Sequence, residues 1–211
     1  MRTRVKICGV TTIETIKAAA AAGVAFIGFN HFPKSPRFVD IPTMSDLAAQ
    51  TPDGICKVVL LVDPTNAQLG EITAKVPIDM IQLHGGETPA RVEEVKALTG
   101  LPVMKVIGIS GSDDLAKIDA FAKVADQILV DAKAPKGSDL PGGNGISFDW
   151  DLLAGRRWVV PWMLAGGLTP ENVSEAVKRT SAAQVDVASG VESSPGVKDA
   201  GLMAAFVKAA G

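Results

Sequence analysis

Eight strand–helix units closed into a parallel barrel, the (βα)8 or TIM-barrel architecture of the α/β class, is the fold this sequence predicts. Three observations carry the prediction. Short β-branched apolar runs alternate with longer segments of helical period along the whole chain. Eight such runs in 211 residues leave about 26 residues per unit, close to the minimum for a parallel crossover. The runs are almost continuously apolar instead of alternating, as expected where helices cover one face of a sheet and a packed barrel interior the other.

In chain order the predicted strands are 4–8, 25–29, 55–62, 80–84, 103–107, 127–131, 158–164 and 184–188. The predicted helices are 12–22, 66–75, 89–98, 113–123, 170–180 and 199–209. Thr169-Pro170-Glu171 reads as a helix start, with a capping hydroxyl, a proline at the first turn and an early acid. Residues 132–144 form the longest irregular stretch, rich in Pro, Gly and Lys, and loops of that length are usually functional. No linker, charge block or low-complexity tract divides the chain, so residues 1–211 read as one catalytic domain. The rival architecture is an open, doubly wound sheet.

Composition narrows the function. With 47% hydrophobic residues, 21% charged residues and a formal net charge of −2, nothing points to nucleic acid or an anionic membrane as partner. An anionic ligand therefore needs a local site. Two cysteines do not make a disulfide framework, and the first residues contain no signal-peptide core, so the expected location is the cytoplasm. Two separated histidines, His31 and His84, and two separated cysteines offer no metal spacing. Nucleotide-binding glycine fingerprints are absent, and no cofactor is expected.

Active sites of this architecture lie at the C-terminal ends of the strands, and several strands here end in polar residues. Side chains alternate along a strand, so Lys6 and Cys8 share a face, directed into the barrel if Val5 and Ile7 meet the helices. A lone cysteine is usually a small buried apolar residue, but a buried lysine needs a partner. Asp186, between two valines on the eighth strand, is costly unless paired, and the first and eighth strands adjoin in a closed barrel. A Lys6–Asp186 ion pair follows. Asp131 ends the sixth strand, where a carboxylate is either a cap or a site residue. Gln82 and His84 share a face of the fourth strand, just before Gly85-Gly86.

Glycines follow the seventh and eighth strands, at Gly166-Gly167 and at Ser189-Gly190. Loops after those two strands form the usual phosphate site of the fold, where backbone N–H groups approach the anion. Arg37, in Lys34-Ser35-Pro36-Arg37, is either a solvated turn residue or a fork for a ligand carboxylate.

An ordered set of segments then identifies a family. Lys6-Ile7-Cys8-Gly9-Val10-Thr11, Ser35-Pro36-Arg37, Gln82-Leu83-His84-Gly85, Gly142-Gly143-Asn144-Gly145 with Phe148-Asp149-Trp150, Leu164-Ala165-Gly166-Gly167-Leu168 with Pro170-Glu171-Asn172-Val173, and Val185-Asp186-Val187-Ala188-Ser189-Gly190-Val191-Glu192 run from the first strand to the last. The chain resembles the phosphoribosylanthranilate isomerases of tryptophan biosynthesis over essentially its whole length. The resemblance implies an Amadori rearrangement of a phosphorylated small molecule by a monomer or homodimer. It implies that Asp131 is the general acid and Cys8 the general base. It further implies that Arg37 binds the anthranilate carboxylate, Asp186 and His84 contact substrate, and Gly166, Gly167, Ser189 and Gly190 cradle the phosphate.

Those roles make chemical demands. An ordinary carboxyl is ionised at neutral pH, so Asp131 needs burial to keep its proton. Cys8 needs thiolate character, which a charged Lys6 nearby would favour. The sequence departs from the family at Asn30 and His31, usually more apolar, and at Asn144, usually a small or hydroxyl residue. The alternatives are a related phosphosugar barrel such as aminoimidazole-carboxamide ribotide isomerase, and a non-catalytic phosphosugar-binding barrel. Cys8 on the first strand and a single phosphate site speak against the former. Cys8 and Asp131 together speak against the latter.

Overall fold

Thr12, Thr65 and Thr88 each stand just before a helical run, and each hydroxyl accepts the backbone N–H three residues on, at 3.2 Å. Such caps contribute about 1 kcal/mol apiece by satisfying an otherwise orphaned donor. They start α1 (Ile13–Ala22), α3 (Asn66–Lys75) and α4 (Pro89–Thr99). Asp40 and Asp199 do the same for α2 (Ile41–Ala49) and α7 (Ala200–Ala210). The remaining helices are α5 (Leu115–Phe121) and α6 (Val173–Thr180). The structure is a computed structural model that describes residues 2–133, 142, 145 and 147–211. The stretch 134–141, with Gly143 and Asn144, lies outside the described residues, and with it most of the loop singled out above.

Between the helices run β1 (Arg4–Cys8), β2 (Phe26–Asn30), β3 (Cys56–Leu61), β4 (Met80–Leu83), β5 (Val103–Ile109), β6 (Gln127–Ala132), β7 (Trp162–Leu164) and β8 (Gln184–Val187). All pair in parallel with their sequence neighbours, and β8 pairs with β1, so the sheet is closed and the open-sheet alternative is excluded. Strand alternation then sorts every residue. Val5, Ile7, Ile27, Val59, Ile81, Ile128 and Val185 face the helices in one continuous outer core. Phe26, Val58, Met104, Val106, Leu129, Met163 and Ala165 fill the barrel interior. Cys8, Asp131 and Asp186 have the interior parity and lie above that apolar plug, at the C-terminal ends of their strands.

Several boundaries differ from the sequence reading. Helix α2 is unpredicted: Pro42 discourages a helical reading, yet proline is tolerated in a helix's first turn. Helix α6 starts after Asn172, not at Pro170 behind a Thr169 cap. Asn172 folds its side chain back, accepting from Thr169 N at 2.8 Å and donating to the Gly167 carbonyl at 2.9 Å, which makes 169–172 a turn. Strand β7 is shorter than predicted. Pro161 cannot donate to a ladder, and Trp158 instead stacks on Trp162 with ring centroids 4.1 Å apart. Past β8 a short 3-10 turn (Ser189–Val191) leads into an unpredicted hairpin, β9 (Glu192–Ser194) and β10 (Val197–Lys198). Among the described residues, no helix is long and apolar enough to cross a membrane.

Candidate active site

The nine residues singled out for the site, Cys8, Arg37, His84, Asp131, Gly166, Gly167, Asp186, Ser189 and Gly190, all line one cavity of about 810 Å³, a volume that includes its open mouth. Substrate pockets fall in this size range.

The wall made by β1 and β8 carries the ion pair. Lys6 and Asp186 are direct register partners, and Lys6 Nζ donates to Asp186 Oδ1 at 3.0 Å with the lysine fully buried. Burial works against the ammonium, but the charge of Asp186, Cys8 and the hydrogen bonds outweigh it and raise its pKa, so Lys6 is charged. Gly28 of β2 lies opposite. A Cβ there would come within 3.1 Å of both Lys6 Nζ and Cys8 Sγ, so glycine makes room for the two groups to lie side by side. Burial raises the pKa of the Cys8 thiol, against the opposing pulls of Lys6 and Lys198. Lys6 thus acts in the expected direction, but burial wins and the resting group is a thiol.

The opposite wall is β4 and β6. Asp131 is buried, and its carboxyl is pushed up to about 7, first by burial and then by the charge of Asp186. The Ala132 N–H donates to Oδ1 at 2.8 Å and partly offsets this. His84 Nε2 stands 3.6 Å from Asp131 Oδ2. Gly142 closes the far side. A Cβ on it would fall 2.7 Å from Asp131 Oδ2 and 2.6 Å from His84, so only glycine lets the chain pass this close to the carboxyl. Gln82, also on the cavity wall, is almost fully buried with Oε1 unpaired among the described residues.

The loops after β7 and β8 interlock. At Gly190 a Cβ would sit 1.9 Å from the Leu168 carbonyl oxygen, an overlap no side chain can relieve. Gly166 and Gly167 both adopt positive φ, at 89° and 62°. Three glycines, Gly166, Gly167 and Gly190, therefore line the cavity with backbone alone, and Ser189 stands beside them.

Arg37 also lines the cavity, and it is buried and not a solvated turn residue. Its Nε and Nη2 fork onto both oxygens of Glu192 at 2.7 and 2.9 Å, and its stem packs against Gly9. Asn30 holds the loop that carries it: Nδ2 donates to Ser35 Oγ at 3.1 Å, and Ser35 Oγ accepts from Arg37 N at 3.1 Å. Asn30 therefore lines the cavity and braces Arg37's loop. His31 points elsewhere and ties Nδ1 to the Val39 carbonyl at 2.8 Å.

Two sets of polar residues escaped the sequence reading. Glu192 and Lys198 come from the hairpin, with Lys198 Nζ 2.6 Å from Glu192 Oε1. The usable signal was Arg37 itself, since a buried guanidinium demands a carboxylate. Lys105 and Glu87 form a second buried pair at 2.7 Å, on the helix-facing side of the sheet. Among the described residues no cluster could hold a metal ion.

Comparison with known proteins agrees with the barrel fold. A family profile described as N-(5'phosphoribosyl)anthranilate (PRA) isomerase matches residues 5–209. The chain belongs to that family. The N-(5'-phosphoribosyl)anthranilate isomerase of Ruegeria sp. is 61% identical over 98% of this chain and 97% of its own. The crystal structure of the Thermotoga maritima phosphoribosyl anthranilate isomerase superposes with a TM-score of 0.89 at 30% identity, covering 99% and 98% of the two chains. A further structure of a phosphoribosyl anthranilate isomerase contains reduced 1-(o-carboxyphenylamino)-1-deoxyribulose 5-phosphate (TM-score 0.87, 29% identity, 99% and 98% covered). As a member of the family the chain is an isomerase of the aldose–ketose type.

Proposed function

We propose that the chain converts N-(5-phosphoribosyl)anthranilate to 1-(2-carboxyphenylamino)-1-deoxyribulose 5-phosphate by an Amadori rearrangement in tryptophan biosynthesis, with Asp131 as acid and Cys8 as base. The carrying observation is the pairing of these two groups across one cavity, with burial holding the Asp131 carboxyl near 7. A carboxyl of that pKa is substantially protonated at neutral pH, as ring opening requires. Asp131 gives its proton to the ribose ring oxygen, the bond from that oxygen to C1 breaks, and the anthranilate nitrogen supplies the electron pair that forms the Schiff base. Cys8, as thiolate, removes the proton from C2, and the electrons of that bond move to give the enolamine. Protonation at C1 with loss of the enol proton gives the ketone. Two protons are added, at the ring oxygen and at C1, and two are removed, from C2 and from the enol hydroxyl, so the product is an isomer of the substrate.

The rest of the cavity suits the remaining parts of this substrate. Gly166, Gly167, Ser189 and Gly190 bring backbone N–H groups to the phosphate end. Arg37 has Nη1 outside its fork to Glu192 and offers it to the anthranilate carboxylate. Asp186 and His84 border the space between, where the sugar hydroxyls lie. No nucleic acid, membrane or cofactor enters this reading, in which the enzyme works in the cytoplasm as a monomer or homodimer over residues 1–211. The test follows anthranilate fluorescence as phosphoribosylanthranilate is generated in situ. Native protein should quench it rapidly. Cys8→Ala should lose about a hundredfold or more in turnover, and near-native turnover in that variant would remove Cys8 from its role.

A further inference from the structure

We infer that Lys198, on the hairpin after β8, is a positioning residue whose buried positive charge makes Cys8 easier to ionise. The inference rests on the reading of Cys8 as the base. Among the described residues, the buried charged groups on this side of the cavity are Lys6, Asp186, Arg37, Glu192 and Lys198. Lys6 is paired with Asp186, and Arg37 with Glu192 through two hydrogen bonds. Glu192 is thereby already neutralised when Lys198 arrives on it at 2.6 Å. Three cations face two carboxylates, and the Lys198 side chain has no solvent exposure into which its charge could spread.

A surplus charge in a medium of low polarity raises the energy of any arrangement that leaves it uncompensated. Ionising Cys8 supplies the missing anion. Sγ lies at the same Gly28 contact as Lys6 Nζ, and Arg37, bridged to Lys198 by Glu192, packs its stem on Gly9, the residue next to Cys8. Both Lys6 and Lys198 favour the thiolate, whereas Asp186 opposes it. Asp131, His84 and Lys133 are the titratable groups among the described residues of the facing wall; Lys133 is held by Asp114 at 3.1 Å, and Asp131 is largely protonated below pH 7. Lys198 also donates to the Ala188 carbonyl at 3.0 Å, which fixes the ammonium to the strand end that bears Asp186. Lys6 offsets Asp186, Arg37 offsets Glu192, and the cation left over for the thiolate is Lys198.

The experiment measures the alkylation rate of Cys8 by iodoacetamide against pH, in a Cys56→Ala background so that a single thiol reacts. Lys198→Met should move the thiol's apparent pKa up by about one unit, an approximately tenfold slower alkylation at pH 8. Glu192 keeps both hydrogen bonds from Arg37 in this variant, so no carboxylate is stranded. Lys198→Arg should alkylate like the parent. Glu192→Gln, which enlarges the surplus, should alkylate faster and serves if Lys198→Met does not fold. An unchanged pH profile in Lys198→Met, an Arg variant as slow as the Met variant, or slower alkylation in Glu192→Gln would each overturn the inference. The alkylation is independent of turnover, so an active Cys8→Ala enzyme would refute the base, and an unmoved alkylation profile would refute only Lys198.

Discussion

Replacing Asp131 by Asn should stabilise the protein at alkaline pH while removing its activity, and the size of the stabilisation follows from the burial of one carboxyl. In the folded protein this carboxyl ionises near pH 7 instead of near 3.8, so the folded state holds the proton more tightly than the unfolded chain does. Folding therefore loses stability as pH rises through the window from about 4 to 7, and the loss is complete above it. Between pH 5 and pH 8 that amounts to about 2–3 kcal/mol, within a total of about 4 kcal/mol for the full shift. Asn has the same shape, keeps an oxygen for the Ala132 N–H, and has no charge to bury. The stability of Asp131→Asn relative to native protein should thus increase by about 2–3 kcal/mol from pH 5 to pH 8, read by urea unfolding at both values. Turnover, followed by anthranilate fluorescence, should fall by about two to four orders of magnitude. A stability difference that is flat between the two pH values would refute the claim that Asp131 is held protonated by burial.

Two further substitutions test the walls of the cavity. Lys6→Met strands Asp186 among buried groups and should cost about 3–5 kcal/mol in denaturant unfolding, with most of the loss recovered in the Lys6→Met, Asp186→Leu double variant. Gly190→Ala pushes a methyl into the Leu168 carbonyl. It should cost about 1–3 kcal/mol in the melting profile and, by spreading the loops after β7 and β8, raise KM for the phosphorylated substrate more than it lowers kcat.

Strand parity made much of the site legible in the sequence. Once Val5 and Ile7 are assigned to the helices, Lys6 and Cys8 must face inward, and the register of β1 on β8 brings Asp186 to Lys6. Asp131 and His84 follow from the same alternation on β6 and β4. Parity is silent on whatever lies outside the strands. Arg37 and Glu192 are 155 residues apart and meet only because the β9–β10 hairpin folds over the loop after β2. Nothing local in Glu192-Ser193-Ser194-Pro195-Gly196-Val197-Lys198 announces that contact. The start of α6 was misplaced for a related reason. Thr169-Pro170 carries a valid capping signal, but the Asn172 side chain satisfies the same backbone groups by folding the chain back on Gly167. Propensity ranks such competing local solutions only weakly, and tertiary context chooses between them.

Two buried ammonium–carboxylate pairs with their lysines on barrel strands, one facing inward and one outward, show why parity matters more than residue type. Lys6–Asp186 and Lys105–Glu87 are alike in chemistry and in burial. Apolar residues of similar volume serve stability at least as well as such pairs do, so stability alone is a poor reason for either. Lys6 points inward, and its ammonium shares the Gly28 contact with the Cys8 thiol, where its charge can act on the reacting group. Lys105 points outward from β5 and never meets the cavity. Its Nζ instead donates to the carbonyls of Leu83 and Gly85, and Glu87 in turn accepts the N–H groups of Asp63 and Gly85. That network clamps the C-terminal ends of β3 and β4 together, on either side of the residue that carries the His84 imidazole. A one-residue change of position on a strand thus converts the same ion pair from a modifier of the thiol into a brace for the wall facing it.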